Sequence, residues 1–168
     1  MSKRTFYHRF ADKPALMRAV VTRLVDDLRP PPHVPLIEGA DLAAILEHLA
    51  DLILEAALRP QALALHRLIV AESPRFPELA AAIAMAGARN EAVELIANQL
   101  RNHLGPASPD APTWEFAAQQ FLQMIVTLPQ AHANAPLASM TTQERRRWVR
   151  QTVKLFLGGV DALRDRAG

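Results

Sequence analysis

The sequence predicts an all-α protein, and three observations carry that reading. Ala, Arg, Leu and Pro dominate its 168 residues. Strand formers are few and never alternate with polar residues for long, while apolar side chains recur in steps of three and four. Half the residues are apolar and 21% are charged, the balance of a globular chain rather than a disordered one.

Residues 2–10 are predicted as a short helix with Ser2 as its N-cap. Asp12 stands where it can cap the next helix, over 13–28, and Pro14 falls in a first turn where a missing N–H costs nothing. Leu16, Ala19, Val20, Arg23, Leu24 and Leu28 follow at helical spacing. The consecutive prolines Pro30, Pro31 and Pro32 forbid helix, so a domain boundary is expected there, between residues 1–29 and 40–168. Asp41 caps a helix whose stripe is Leu42, Ile45, Leu46, Leu49, Leu52, Ile53 and Ala56, with Glu47, Asp51 and Glu55 on its other face. Pro60 ends it.

Residues 61–72 form the next helix. Leu63, Leu65, Leu68, Ile69 and Val70 wrap most of its circumference, which predicts a central position. Ser73, Pro74 and Pro77 break the chain, and helix is expected over 78–104 with a bend or interruption at Gly87. After a proline-rich loop, Thr113 caps a helix through Ala133, with Pro129 as a kink near its end. Thr141 or Thr142, with Glu144 or Arg145, opens a final helix to about Arg166. Its Trp148, Val149, Thr152, Val153, Leu155, Phe156, Leu157, Val160 and Leu163 exceed what one buried face requires.

The net charge of +2 hides an asymmetry. Lys3, Arg4, Arg9, Lys13, Arg18, Arg23 and Arg29 face only Asp12, Asp26 and Asp27 in the first 29 residues, which makes that segment +4 and the remainder −2. A positive head on a slightly acidic body suits an N-terminus that meets phosphates.

The run Ser2-Lys3-Arg4-Thr5-Phe6-Tyr7-His8-Arg9-Phe10-Ala11-Asp12-Lys13-Pro14-Ala15-Leu16 resembles the second half of the helix-turn-helix of TetR/AcrR regulators. Thr5, Phe6, Tyr7, Phe10, Lys13 and Leu16 match that pattern at its spacing. The run Leu68 to Leu79, with Glu72, Pro74, Arg75, Phe76 and Pro77, is similar to the AefR-like subgroup of C-terminal domains. The resemblance implies a remnant of a helix-turn-helix head, with recognition helix 2–10 and following helix 13–28, ahead of a TetR-like ligand-binding and dimerisation bundle.

The chemistry of the head fits operator DNA as partner. Thr5, Tyr7 and Lys13 supply groups that hold phosphates, Lys13 at a helix start where free N–H groups also attract them. Lys3, Arg4, His8 and Arg9 could reach base edges in the major groove. The resemblance further implies a repressor released by a small apolar effector, with Leu65, His66, Ile69, Met85, Phe121 and Met124 lining the effector cavity. It implies a homodimer built from the last two helices, with Trp148, Thr152, Phe156, Gly159 and Leu163 at the interface and Gly158-Gly159 admitting a partner helix closely. The family's first two helices and turn are absent from the pattern. The alternative expectation is therefore a ligand-binding and dimerisation module that has lost DNA binding through N-terminal truncation.

Other classes are disfavoured. No glycine-rich phosphate loop, Gly-x-Ser-x-Gly or base-activated nucleophile appears, so no catalytic residues, enzyme activity or cofactor is expected. His8, His33, His48, His66, His103 and His132 never fall at i, i+3 or i, i+4, which predicts no metal site. Cysteine is absent, no apolar run is long enough for a membrane span, and the opening Met-Ser-Lys-Arg lacks a secretory pattern. The expected location is cytoplasmic.

Overall fold

A computed structural model describes residues 15, 16, 19, 20, 22, 23, 41–75, 88–106, 112–134 and 140–160. Among these residues all regular structure is helical. Beyond the helical residues at 15–16, 19–20 and 22–23, the elements are α1 (Leu42–Ala57), α2 (Pro60–Glu72), α3 (Ala88–Leu104), α4 (Trp114–Asn134) and α5 (Thr142–Val160). The predicted recognition helix, the proline-rich boundary, the expected start of helix at residue 78 and Gly87 lie outside the described residues.

The chain divides into two compact units, one of Met1–Arg29 with Pro60–Arg89 and one of Pro30–Arg59 with Asn90–Gly168. In the first, Pro60 opens α2 rather than only closing the helix before it, since a first-turn residue needs no N–H donor. The Ser73 hydroxyl and N–H both donate to the Ile69 carbonyl, at 2.5 and 2.9 Å, and finish the helix. The expectation that α2 is central is corrected here. Only Ala62 and Leu65 are buried, and Val70 is 62% exposed. Its apolar residues do encircle the helix, but one narrow arc at i, i+3 is covered and the rest borders solvent.

The second unit holds the main core. Asp41 caps α1 as expected, its Oδ1 accepting the Ala44 N–H at 2.8 Å. Helix α3 stops at Gly105, whose φ of +80° is open to glycine, and the Gly105 N–H reaches the Arg101 carbonyl at 3.0 Å. The Trp114 indole then donates to the Gly105 carbonyl at 2.9 Å, folding the start of α4 back over the end of α3. Thr113 caps α4 through the Phe116 N–H at 3.2 Å. At α5 the opener is Thr141. Its hydroxyl oxygen accepts the Glu144 N–H, while Glu144 Oε2 accepts both the Thr141 N–H at 2.8 Å and its O–H at 2.7 Å. That reciprocal pattern is a capping box.

Helix α1 packs on α5 and α4, and α4 packs on α5. Leu46, Leu54, Ile96, Leu100, Phe121, Ile125 and Val153 are the largest side chains sealed from water. The buried arc of α1 is Leu46, Leu49, Ala50 and Leu54, turned toward the acidic side of the stripe read from sequence, with Leu52 left 38% exposed. That arc is the one packed on α5 and α4, and Arg145 meets the acidic edge beside it. Its Nε lies 2.7 Å from Asp51 Oδ1 and its Nη2 2.9 Å from Glu55 Oε2, so the acidic edge of α1 meets a cation rather than open water. Hydrogen bonding to Asp51 comes first among the causes that raise the guanidinium pKa above its ordinary value.

Candidate functional site

Helices α4 and α5 bury one side each and leave a second apolar side uncovered. On α5, Val149, Thr152, Val153 and Phe156 face inward. A helix presents neighbours three and four apart on one face, so Trp148, Leu155 and Gly159 form an adjoining strip. Leu155 is 70% exposed, and across from it on α4 Phe116 and Leu128 are 49% and 46% exposed. Residues 116–131 of α4 contain no charged side chain at all. An exposed helix face of four turns ordinarily carries charge, and charge depletion marks the centre of protein interfaces.

Two shallow apolar grooves lie along this seam. One, of about 250 Å³, is lined by Pro112, Phe116, Gln120, Met124, Leu155 and Gly159 with Ala117 and Phe156 beneath. The other, of about 370 Å³, is bounded by Thr127, Leu128, Ala131, Trp148, Thr152 and Leu155, with Gln123 and Met124. Leu155 belongs to both. A Cβ added at Gly158 or Gly159 would meet nothing within 4 Å, so packing within the chain does not account for two glycines inside a helix.

Helix α4 contains a buried Pro129. Proline has no N–H, so the carbonyl of Ile125, four residues earlier, loses its helical donor. The Trp148 indole N–H supplies the replacement at 3.0 Å. One side chain of α5 thus completes the backbone bonding of α4.

The expected interface residues lie along this seam, with divided roles. Trp148 and Thr152 line the larger groove and Phe156 and Gly159 the smaller, but Phe156 is also core, its ring 4.7 Å from that of Phe121. Leu163 lies outside the described residues. Phe116, Gln120, Leu128 and Leu155 were missing from the expected interface; the charge-free run 116–131 is the sequence signal that marks the α4 members of this face.

The expected effector residues fall on different elements. Leu65, His66 and Ile69 are on α2, the first buried and the others half-buried, in the first unit. Phe121 is sealed in the core of the second unit, Met124 borders both surface grooves, and Met85 lies outside the described residues. Lys3, Arg4, Thr5, Tyr7, His8, Arg9 and Lys13 also lie outside them. No cluster of three metal-binding side chains occurs among the described residues, and no helix among them is long and apolar enough to cross a membrane.

This helical arrangement is shared with solved transcription regulators. A structure described as a TetR-family transcriptional regulator from Mesorhizobium loti MAFF303099 is 22% identical, with a TM-score of 0.66 over 94% of this chain and 80% of that one. The flavonoid-responsive regulator FrrA is 23% identical, with a TM-score of 0.72 over 99% of this chain and 83% of that one. At such identities the likeness establishes the fold. No curated protein matches the sequence. The narrower assignment comes from residues 44–159, which match the C-terminal domain of AefR-like transcriptional repressors. The match spans more than half of the chain, and the protein belongs to that family of TetR-type regulators, which are not enzymes.

Proposed function

We propose that the protein is a DNA-binding, ligand-responsive repressor that works in the cytoplasm as a homodimer through the α4–α5 face. The observation that carries this reading is the match of residues 44–159 to a repressor C-terminal domain. The uncharged, exposed side of α4 beside Leu155 supports pairing of two copies, and a two-fold pair suits an operator with two half-sites. Lys3, Arg4, Thr5, Tyr7, His8, Arg9 and Lys13 are assigned to operator contact on their chemistry. The response of FrrA to a flavonoid supports a small, largely apolar effector here. Leu65, His66 and Ile69 on α2 are the residues proposed to face it, Phe121 and Met124 being accounted for by the core and the surface grooves.

Mobility-shift titration of the full-length protein on DNA from its own upstream region tests the proposal. A salt-sensitive shift is expected, since phosphate contacts release counterions, and addition of a cognate effector should reverse it. A protein that shifts no fragment at any salt concentration is not this repressor.

A further inference from the structure

We infer that Glu72 is the polar contact of the effector site: its carboxylate receives a hydrogen-bond donor carried by a largely apolar small molecule. The inference rests on the effector reading given above and names the chemistry that this side of α2 selects. Ala62, Leu65, Ile69 and Glu72 recur at steps of three and four, so they share one side of the helix. Ala62 and Leu65 are buried, and the arc ends on an acid where a further apolar residue would fit. Glu72 Oε2 is sealed from water and accepts no hydrogen bond among the described residues. The groups close to it in sequence are engaged elsewhere. The Ser73 hydroxyl donates to the Ile69 carbonyl at 2.5 Å, and the Arg75 N–H donates at 2.9 Å to the Glu72 backbone carbonyl, not to its side chain. Nor does the backbone favour an anion there. Glu72 is the last residue of α2, where the exposed carbonyls of a helix carry negative charge. A sealed carboxylate oxygen with no donor is costly to the free protein. A ligand that supplies an O–H or N–H beside Leu65 and Ile69 relieves that cost, whereas a hydrocarbon of the same shape does not.

Equilibrium dialysis of the whole protein against two matched sets of aromatic probes tests the inference. One set is naphthalene, β-naphthol and naphthylmethylamine; the other is biphenyl, para-phenylphenol and para-phenylbenzylamine. At least one donor-bearing probe should bind about tenfold more tightly than its parent hydrocarbon. Glu72→Met keeps the length of the side chain and removes the acceptor. It should bring that preference below about twofold while raising the thermal midpoint by a few degrees, because an unpaired buried oxygen is gone. Glu72→Gln keeps a neutral acceptor and separates the donors: a hydroxyl retains part of its preference, whereas an ammonium loses it. Hydrocarbons that bind as tightly as their donor-bearing partners overturn the inference and leave the effector reading standing. So does a preference that survives Glu72→Met. Absence of binding by every donor-bearing probe also rejects it, and the mobility shift then judges the repressor reading separately. A Glu72→Met protein that melts earlier or fails to fold gives the carboxylate a structural role and overturns the inference too.

Discussion

Arg145 Nε sits 2.7 Å from Asp51 Oδ1, fastening the first turn of α5 to the third turn of α1. The two side chains are 17% and 28% exposed, so this pair is neither a surface contact nor a sealed one. A second Arg145 nitrogen reaches Glu55 at 2.9 Å, on a side chain half in solvent.

Removing the guanidinium should therefore cost more than a typical exposed pair and less than a fully buried one. Arg145→Ala is expected to lower unfolding free energy by about 1–2 kcal/mol in urea titration. Arg145→Lys should recover only part of it, because an ammonium cannot reproduce the fork. A loss below roughly 0.5 kcal/mol would show the clamp to be incidental.

Acid should loosen the start of α5. The Thr141 N–H, and then its hydroxyl, hold the Glu144 carboxyl below its ordinary value of 4.5. A depressed folded pKa means that the ionised form is the one stabilised. Its contribution is complete above the unfolded pKa and disappears as pH falls through the folded one. Glu144→Gln should lower the thermal midpoint at pH 7, by a margin that shrinks steadily below about pH 4.5. A margin independent of pH would place the effect elsewhere.

Two glycines should respond in opposite directions to alanine. Gly105 has φ of +80°, where a Cβ is strained, so Gly105→Ala is expected to destabilise by about 1 kcal/mol. Gly158 lies inside α5 with open space around its missing Cβ, so Gly158→Ala should stabilise by about 0.5–1 kcal/mol. Thermal melts of both variants under one condition make the comparison.

Phe121 is wholly buried and stacks at a tilt on Phe156, linking α4 and α5 at the core. Phe121→Ala is expected to cost about 3–5 kcal/mol through lost burial and the cavity left behind. Phe116→Ala, on the exposed face of the same helix, should leave folding stability of the isolated chain within about 0.5 kcal/mol. Chemical denaturation of the pair separates the two faces.

Periodicity and capping chemistry made most of the helices legible in the sequence. Asp41, Thr113 and Thr141 cap where a polar side chain precedes an apolar run, because orphaned N–H groups leave few other solutions. The arc that each helix buries was harder to read. The buried arc of α1 is the one that packs on α5 and α4, and beside it Asp51 and Glu55 are answered by Arg145, some 90 residues away in sequence; local spacing carries no trace of either. In α2 the apolar count was high but said nothing of how little neighbouring structure covers Val70. Trp148 was legible as an interface candidate, while its bond to Ile125 was not. That bond needs α4 and α5 side by side.

Pro129 also has a consequence for the order of events during folding. A chain segment that ends before residue 140 can wind the early turns of α4 unaided, yet it has no donor for the Ile125 oxygen except water. The later turns become dry and fixed only when Trp148 arrives from the C-terminal side. The two helices should accordingly mature together as one cooperative piece, with the closing part of α4 held back until the ribosome has released α5.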